Sequence, residues 1–220
     1  MLRLGIIAEG NTDQQVLENI LLGYFEDRED EPVIRYIQPM PDAFGGWHMV
    51  FEYFKQGTYK KDLSVNDYLV VQLDTDVSES QGYEVSKRDG DRELTPEELV
   101  ARVVKRLREH IEEGVLQEHG HKFIFAISVD EIECWLLPLL HQDKKAAKTT
   151  GCLNTANHAL KLKNERPLSN TKEEKNPRAY QELSRSYSKK KELLKRHHKN
   201  PSLKLFIESL DRLFMPSIVS

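Results

Sequence analysis

The run Asp67–Leu73, Asp-Tyr-Leu-Val-Val-Gln-Leu, is the strongest strand signal in the chain, and it stops at once on Asp74-Thr75-Asp76. Short apolar runs bounded by polar chain read as buried strands. Leu2–Ala8, Val33–Ile37 and Lys122–Ile127 are three more. Between the runs the apolar residues fall at helical spacing: Val16, Leu17, Ile20, Leu21 and Tyr24, then Met49, Val50, Tyr53 and Phe54, then Leu99, Val103, Leu107 and Ile111. Thr95-Pro96-Glu97-Glu98 is a strong helix start, with proline at the first helical position and early acids. Ser128 opens a further helix that Pro138 ends or bends. The order β-α-β-α-β-α-β-α predicts an α/β fold, a mostly parallel sheet flanked by helices.

A chain of 220 residues with 39% apolar residues can bury a real core. No stretch of about 18 apolar residues is present, so no membrane span is expected. Met1–Ile7 reads as a strand and not as a signal peptide. Cys134 and Cys152 form no metal pattern and no disulfide framework, which suits a reducing cytoplasm. The net charge of -4 hides an asymmetry: residues 144–200 hold 16 Lys/Arg against 5 Asp/Glu, and residues 1–143 hold 14 against 29. The pattern changes at the same place. Residues 144–178 are polar, basic and turn-rich, 181–198 are helical in pattern, and 203–214 form a short amphipathic helix beyond Pro201. Two parts are therefore expected: residues 1–143 as a metal-binding domain, and 144–220 as a basic, mainly α-helical extension packing on it.

In parallel sheets, ligands bind outside the carboxyl ends of the strands. Glu9, Asp74, Asp76 and the segment 128–133 all fall there. At an extended strand end, positions i and i+2 point the same way, so Asp74 and Asp76 can reach one cation. Hard oxygen ligands at this spacing suit Mg²⁺ or Mn²⁺. Glu9, with Gly10 allowing a tight turn, can hold metal or move a proton. Asp13 either joins it or completes a helix start with Asn11 and Thr12. Glu133 is a candidate ligand for a second metal and Glu131 a weaker one, although Ser128…Glu131 and Asp130…Glu133 also match a capping box. In the basic part, Arg185, Lys189, Lys190, Lys191, Lys195 and Arg196 form a candidate nucleic-acid surface, since such side chains contact phosphates without reading sequence. The alternative is a solvated helix face. Tyr180 or Tyr187 could stack on a base or belong to the core, and Trp47-His48 could shape the site mouth.

The segment Ile6-Ile7-Ala8-Glu9-Gly10-Asn11-Thr12-Asp13 resembles the opening motif of Toprim domains, and Leu69-Val-Val-Gln-Leu-Asp74-Thr-Asp76 resembles their strand-Asp-x-Asp motif. Glu131-Ile-Glu133-Cys-Trp135-Leu-Leu is similar to a segment of small Toprim-like proteins of prokaryotic defence loci, relatives of OLD-type nucleases. The resemblance covers roughly residues 1–140. It implies a Toprim-like sheet, acid/base and metal work for Glu9, and metal binding by Asp74 and Asp76. It also implies an antiviral role with an ABC/OLD-type ATPase as a partner. A metal-dependent nuclease acting on DNA or RNA is the expectation, with a non-catalytic nucleic-acid or ATPase-binding module as the alternative. A second copy could also supply contacts to the site. No Gly-x₄-Gly-Lys loop is present, so ATP hydrolysis by the chain itself is not expected.

Overall fold

The computed structural model describes residues 1–28, 31–40, 43–169 and 175–215. In chain order its elements are β1 (Arg3–Ile7), α1 (Asn11–Phe25), β2 (Val33–Gln38), α2 (Trp47–Lys55), α3 (Tyr59–Val65), β3 (Tyr68–Asp74), β4 (Arg88–Asp89) and β5 (Arg92–Glu93). Then come α4 (Pro96–Arg108), α5 (Glu113–His119), β6 (Phe123–Ser128), α6 (Glu133–Leu140), α7 (Cys152–Leu162), α8 (Pro177–Ser184), α9 (Lys190–Arg196) and α10 (Pro201–Phe214). The fold is α/β. Four strands form one all-parallel sheet in the order β2-β1-β3-β6, and β4-β5 is a separate antiparallel pair.

Strand side chains alternate between faces, and the two cores follow that alternation. Leu4, Ile6, Ala8, Val70, Ile124 and Ala126 face a core built with α1, α6, α7, α8 and α10. Ile7, Leu69, Val71, Leu73, Phe123 and Ile127 face the other, built with α2, α3 and α4. Each fully buried side chain of this size contributes about 1.5–3 kcal/mol. The chain leaves β1 for β2 on one side, then crosses back to place β3 on the other side of β1. The topological switch point therefore lies between β1 and β3, where open α/β sheets form their ligand crevice.

Several expectations are corrected. Residues 77–94, polar and without an apolar run, contain the short strands β4 and β5, and α3 and α5 are additional short helices. The helix expected from Ser128 begins at Glu133, and Pro138 lies inside it. Asp130 has φ +69° and does not cap it. Instead Gly151 N–H donates to Asp130 Oδ2 (2.9 Å) and Leu153 N–H to Glu131 Oε1 (2.9 Å), so both acids hold the start of α7. α7 itself lies in the stretch expected to be turn-rich, and 181–198 is split among α8, α9 and single 3₁₀ turns. The cysteines are paired: Cys134 and Cys152 form a disulfide with Cα atoms 5.0 Å apart. That pairing depends on α6 packing against α7, which two isolated cysteines 18 positions apart do not signal. Tyr180, Tyr187, Leu193, Leu203 and Phe206 share one core with α1 and Trp135, so the C-terminal helices pack on the first part of the chain. Among the described residues, no helix is long and apolar enough to cross a membrane.

Candidate active site

At the switch point the ends of β1 and β3 are tied by one buried side chain. Gln72 Oε1 accepts the Glu9 N–H (3.1 Å), and Gln72 Nε2 donates to Asp74 Oδ1 (2.7 Å). Gln72 and Asp74 are i and i+2 on β3 and so share a face, which lets the amide reach the carboxylate. Glu9 Oε1 accepts the Asp74 N–H (2.7 Å), which fixes the first carboxylate against the second. Tyr83, fully buried, donates its hydroxyl to the Asp74 carbonyl (2.9 Å). Asp76 leaves the strand one position beyond Thr75, its N–H donating to the Asp130 carbonyl (2.9 Å).

Asp13 enters from the first turn of α1, where Thr12 Oγ1 donates to its Oδ2 (3.2 Å). Gly10 caps that helix, and a Cβ there would lie 2.7 Å from Asp13 Oδ2, so a side chain at position 10 would press on the carboxylate. Glu133 enters from the first turn of α6, where the helix N-terminus favours negative charge. It is fully buried; its Oε1 accepts the Tyr180 hydroxyl and forms an ion pair with Lys175 Nζ at 2.7 Å.

The site is crowded with like charge. Burial, then Asp13 and Asp76, raise the Glu9 carboxyl to about 8, against the lowering effects of the Asp74 N–H and Lys175. Burial raises Asp13 to about 6 despite Lys175, with Glu133 adding to the rise. Burial, Asp13 and Glu9 hold Asp74 well above the ordinary carboxylate range. Burial alone would lower Lys175, but Glu133, Asp13 and Asp74 outweigh it and keep the ammonium charged. All five acids expected from the sequence (Glu9, Asp13, Asp74, Asp76 and Glu133) therefore belong to one electrostatic cluster. Lys175, Tyr180 and Gln72 are the members that sequence reasoning missed. Gln72 carried a signal, a polar residue inside the most apolar strand; Lys175 carried none.

No family model matches the chain, and no curated protein or solved structure matches it. Its chemistry is read from the residues themselves.

Two buried oxygens of the cluster, Asp13 Oδ1 and Glu133 Oε2, have no hydrogen-bond partner among the described residues. A buried acceptor without a donor is costly, and a proton, a water or a cation would each relieve it. The donor set, carboxylate oxygens only, fits a hard divalent ion. No three of the acids bring ligand oxygens within 4.8 Å of one another; among the described residues the group that does so is Asp130, Cys134 and Cys152, and there the two sulfurs are bonded together. Mg²⁺ commonly takes one or two carboxylates and fills its other positions with water and phosphate oxygens, so it does not need all the acids at once.

The basic residues lie elsewhere. Lys189 Nζ pairs with Glu26 (2.8 Å) and Lys190 Nζ with Asp27 (3.0 Å), just past the end of α1. Asp13 is in the first turn of that 15-residue helix, so about 20 Å separates the two places. Arg196 bonds to Glu192 and to the Pro138 carbonyl. Arg185, Lys191 and Lys195 are exposed. Tyr180 and Tyr187 are fully buried, which removes both as base-stacking groups.

Proposed function

We propose that this chain is a Mg²⁺- or Mn²⁺-dependent phosphodiesterase that cleaves DNA or RNA. The observation that carries the reading is the meeting of five carboxylates at the β1–β3 switch point, two of them with unpartnered buried oxygens and one ion-paired to a lysine. One or two of Asp74, Asp76, Asp13, Glu133 and Glu9 would hold the ion directly, and the others would meet it through water. A divalent ion in such a site supplies charge neutralisation at the phosphate and a nucleophilic hydroxide at neutral pH. Glu9 has one oxygen engaged by the Asp74 N–H, which leaves Oε2 to hold or move a proton. Without metal, burial and the neighbouring acids push its carboxyl up to about 8, so it carries a proton that metal binding would displace. Lys175 adds a fixed positive charge beside the carboxylates, where a phosphate oxygen can be neutralised. The resemblance of the Glu9–Asp13 and Asp74–Asp76 segments to Toprim motifs supports the same assignment, and with it an antiphage effector role alongside an ATPase partner.

The test is cleavage of plasmid, single-stranded DNA, total tRNA and ribosomal RNA in Mg²⁺, Mn²⁺ or chelator, with wild type beside Asp74→Asn. Metal-dependent cutting that falls at least 100-fold in the variant is expected. Cutting that survives Asp74→Asn would take the reaction away from this cluster, and no cutting of any substrate would favour the non-catalytic binding module.

A further inference from the structure

Beyond the acids, the rim of the same crevice has a feature that metal and phosphate chemistry leave unexplained. Phe44 is 95% exposed, the most exposed large hydrophobic among the described residues. It is also held close to the reaction centre. The next residue, Gly45, lies so near the end of β1 that a Cβ there would sit 1.9 Å from the Glu9 carbonyl oxygen. Gly46 N–H donates to that same oxygen at 2.6 Å. The backbone is thus clamped onto Glu9 one residue past Phe44, and the ring projects from that clamp into solvent.

The surroundings are apolar on this side. Trp47, partly exposed, follows the clamp and packs on Tyr83 (ring centroids 5.5 Å) and on Phe51 (5.9 Å), and Tyr83 in turn bonds to the Asp74 carbonyl. Met40, Met49 and Val77 are further exposed apolar side chains, on the segments that follow β2, open α2 and follow β3. Two cations lie at the acids, Lys175 on Glu133 and Lys87, whose Nζ donates to the Asp76 carbonyl (2.7 Å), and these can meet phosphate. An exposed ring one residue from the backbone clamp on Glu9 suits a nucleobase, since every base has a π-face and stacks without sequence preference.

We propose that Phe44 is a base-stacking residue and that the crevice takes strands with unpaired bases, single-stranded DNA or RNA, in preference to regular duplex. In a duplex the base faces are covered by their neighbours, so the ring has nothing to stack on; an unpaired base next to the scissile phosphate is free to meet it. The inference rests on the phosphodiesterase reading and names its substrate class.

The experiment measures binding without catalysis. Wild type, Phe44→Ala and Phe44→Trp are titrated in Ca²⁺ against a 12-nucleotide single strand carrying 2-aminopurine and phosphorothioate linkages that resist cleavage, and against the same strand in a duplex. Fluorescence anisotropy reports affinity, and 2-aminopurine quenching reports stacking. Phe44→Ala should weaken single-strand binding about 5- to 150-fold and abolish the quench, Phe44→Trp should retain both, and duplex binding should not change. The side chain is in solvent, so its removal leaves no cavity and the alanine variant should melt like wild type. Equal single-strand affinity in wild type and Phe44→Ala would overturn the proposal, as would equal losses on both substrates or no binding of the single strand by wild type. Metal-dependent cleavage lost in Asp74→Asn but indifferent to Phe44→Ala would leave the phosphodiesterase standing and remove only this inference.

Discussion

At the scale of single residues, the site is a set of carboxylates that the fold forces together against their mutual repulsion. The folded Glu9 carboxyl keeps its proton up to about pH 8, whereas its ordinary value is 4.5. Between those values the folded protein binds more protons than the unfolded chain, so stability falls as pH rises through that window. Asp13, raised from 3.8 to about 6, contributes in the same direction over a narrower range. In chelator, the melting temperature should therefore decline from pH 5 to pH 8. Glu9→Gln should flatten the decline and Mn²⁺ should reverse it at pH 8; scanning fluorimetry across pH checks this, and an undiminished slope in Glu9→Gln would contradict it. Lys175 is the counterpart, a cation facing Glu133, Asp13 and Asp74. Lys175→Met leaves a buried Glu133 unpaired and should cost about 3 kcal/mol, roughly 6–12 °C in melting temperature. Adding Glu133→Gln to it should recover part of the loss. Additive losses in the double variant would mean that the pair is not coupled.

At the scale of elements, α1 is the rod that sets the geometry. Its first turn delivers Asp13 and its buried stripe Val16, Leu17, Ile20, Leu21 and Tyr24 lies in the core. The segment after α8 packs on its last turns so tightly that a Cβ at Gly23 would lie 1.9 Å from the Tyr187 carbonyl oxygen. The Tyr187 hydroxyl in turn bonds to the Trp135 carbonyl (2.6 Å), on the helix that carries Glu133. Gly23→Ala should therefore destabilise by about 2 kcal/mol. A urea titration checks this, and an unchanged midpoint would mean that α1 and the C-terminal helices pack less closely than described. The strands and the starts of α1 and α4 were legible in the sequence because their signals are local: short apolar runs, and the Thr95–Glu98 capping box, which is formed. The start of α6 was not. Ser128–Glu133 has the letters of a capping box, but Asp130 and Glu131 are taken by the backbone of α7, a partner 20 residues away.

At the scale of the whole molecule, the charge asymmetry between residues 1–143 and 144–200 resolves into two unlike things. Part of the basic excess is internal, since Lys189 and Lys190 pair with Glu26 and Asp27 and fasten the C-terminal helices to α1. Part of the acidic excess is gathered at the switch point, where Lys175 faces Glu133, Asp13 and Asp74. The convergence of Glu9, Asp74 and Asp76 was legible because strand order in a parallel sheet brings carboxyl ends to one edge whatever the connecting helices do. Lys175 and Tyr180 were not, because they reach Glu133 only through the packing of residues far along the chain. The central claim is that this charge is a divalent metal centre. Calorimetric titration of Mn²⁺ into wild type, Glu9→Gln and Asp74→Asn at pH 8 tests it most directly. The account predicts saturable binding with proton release in wild type and at least tenfold weaker binding in each variant. No saturable binding to wild type, or equal binding by all three proteins, would contradict it.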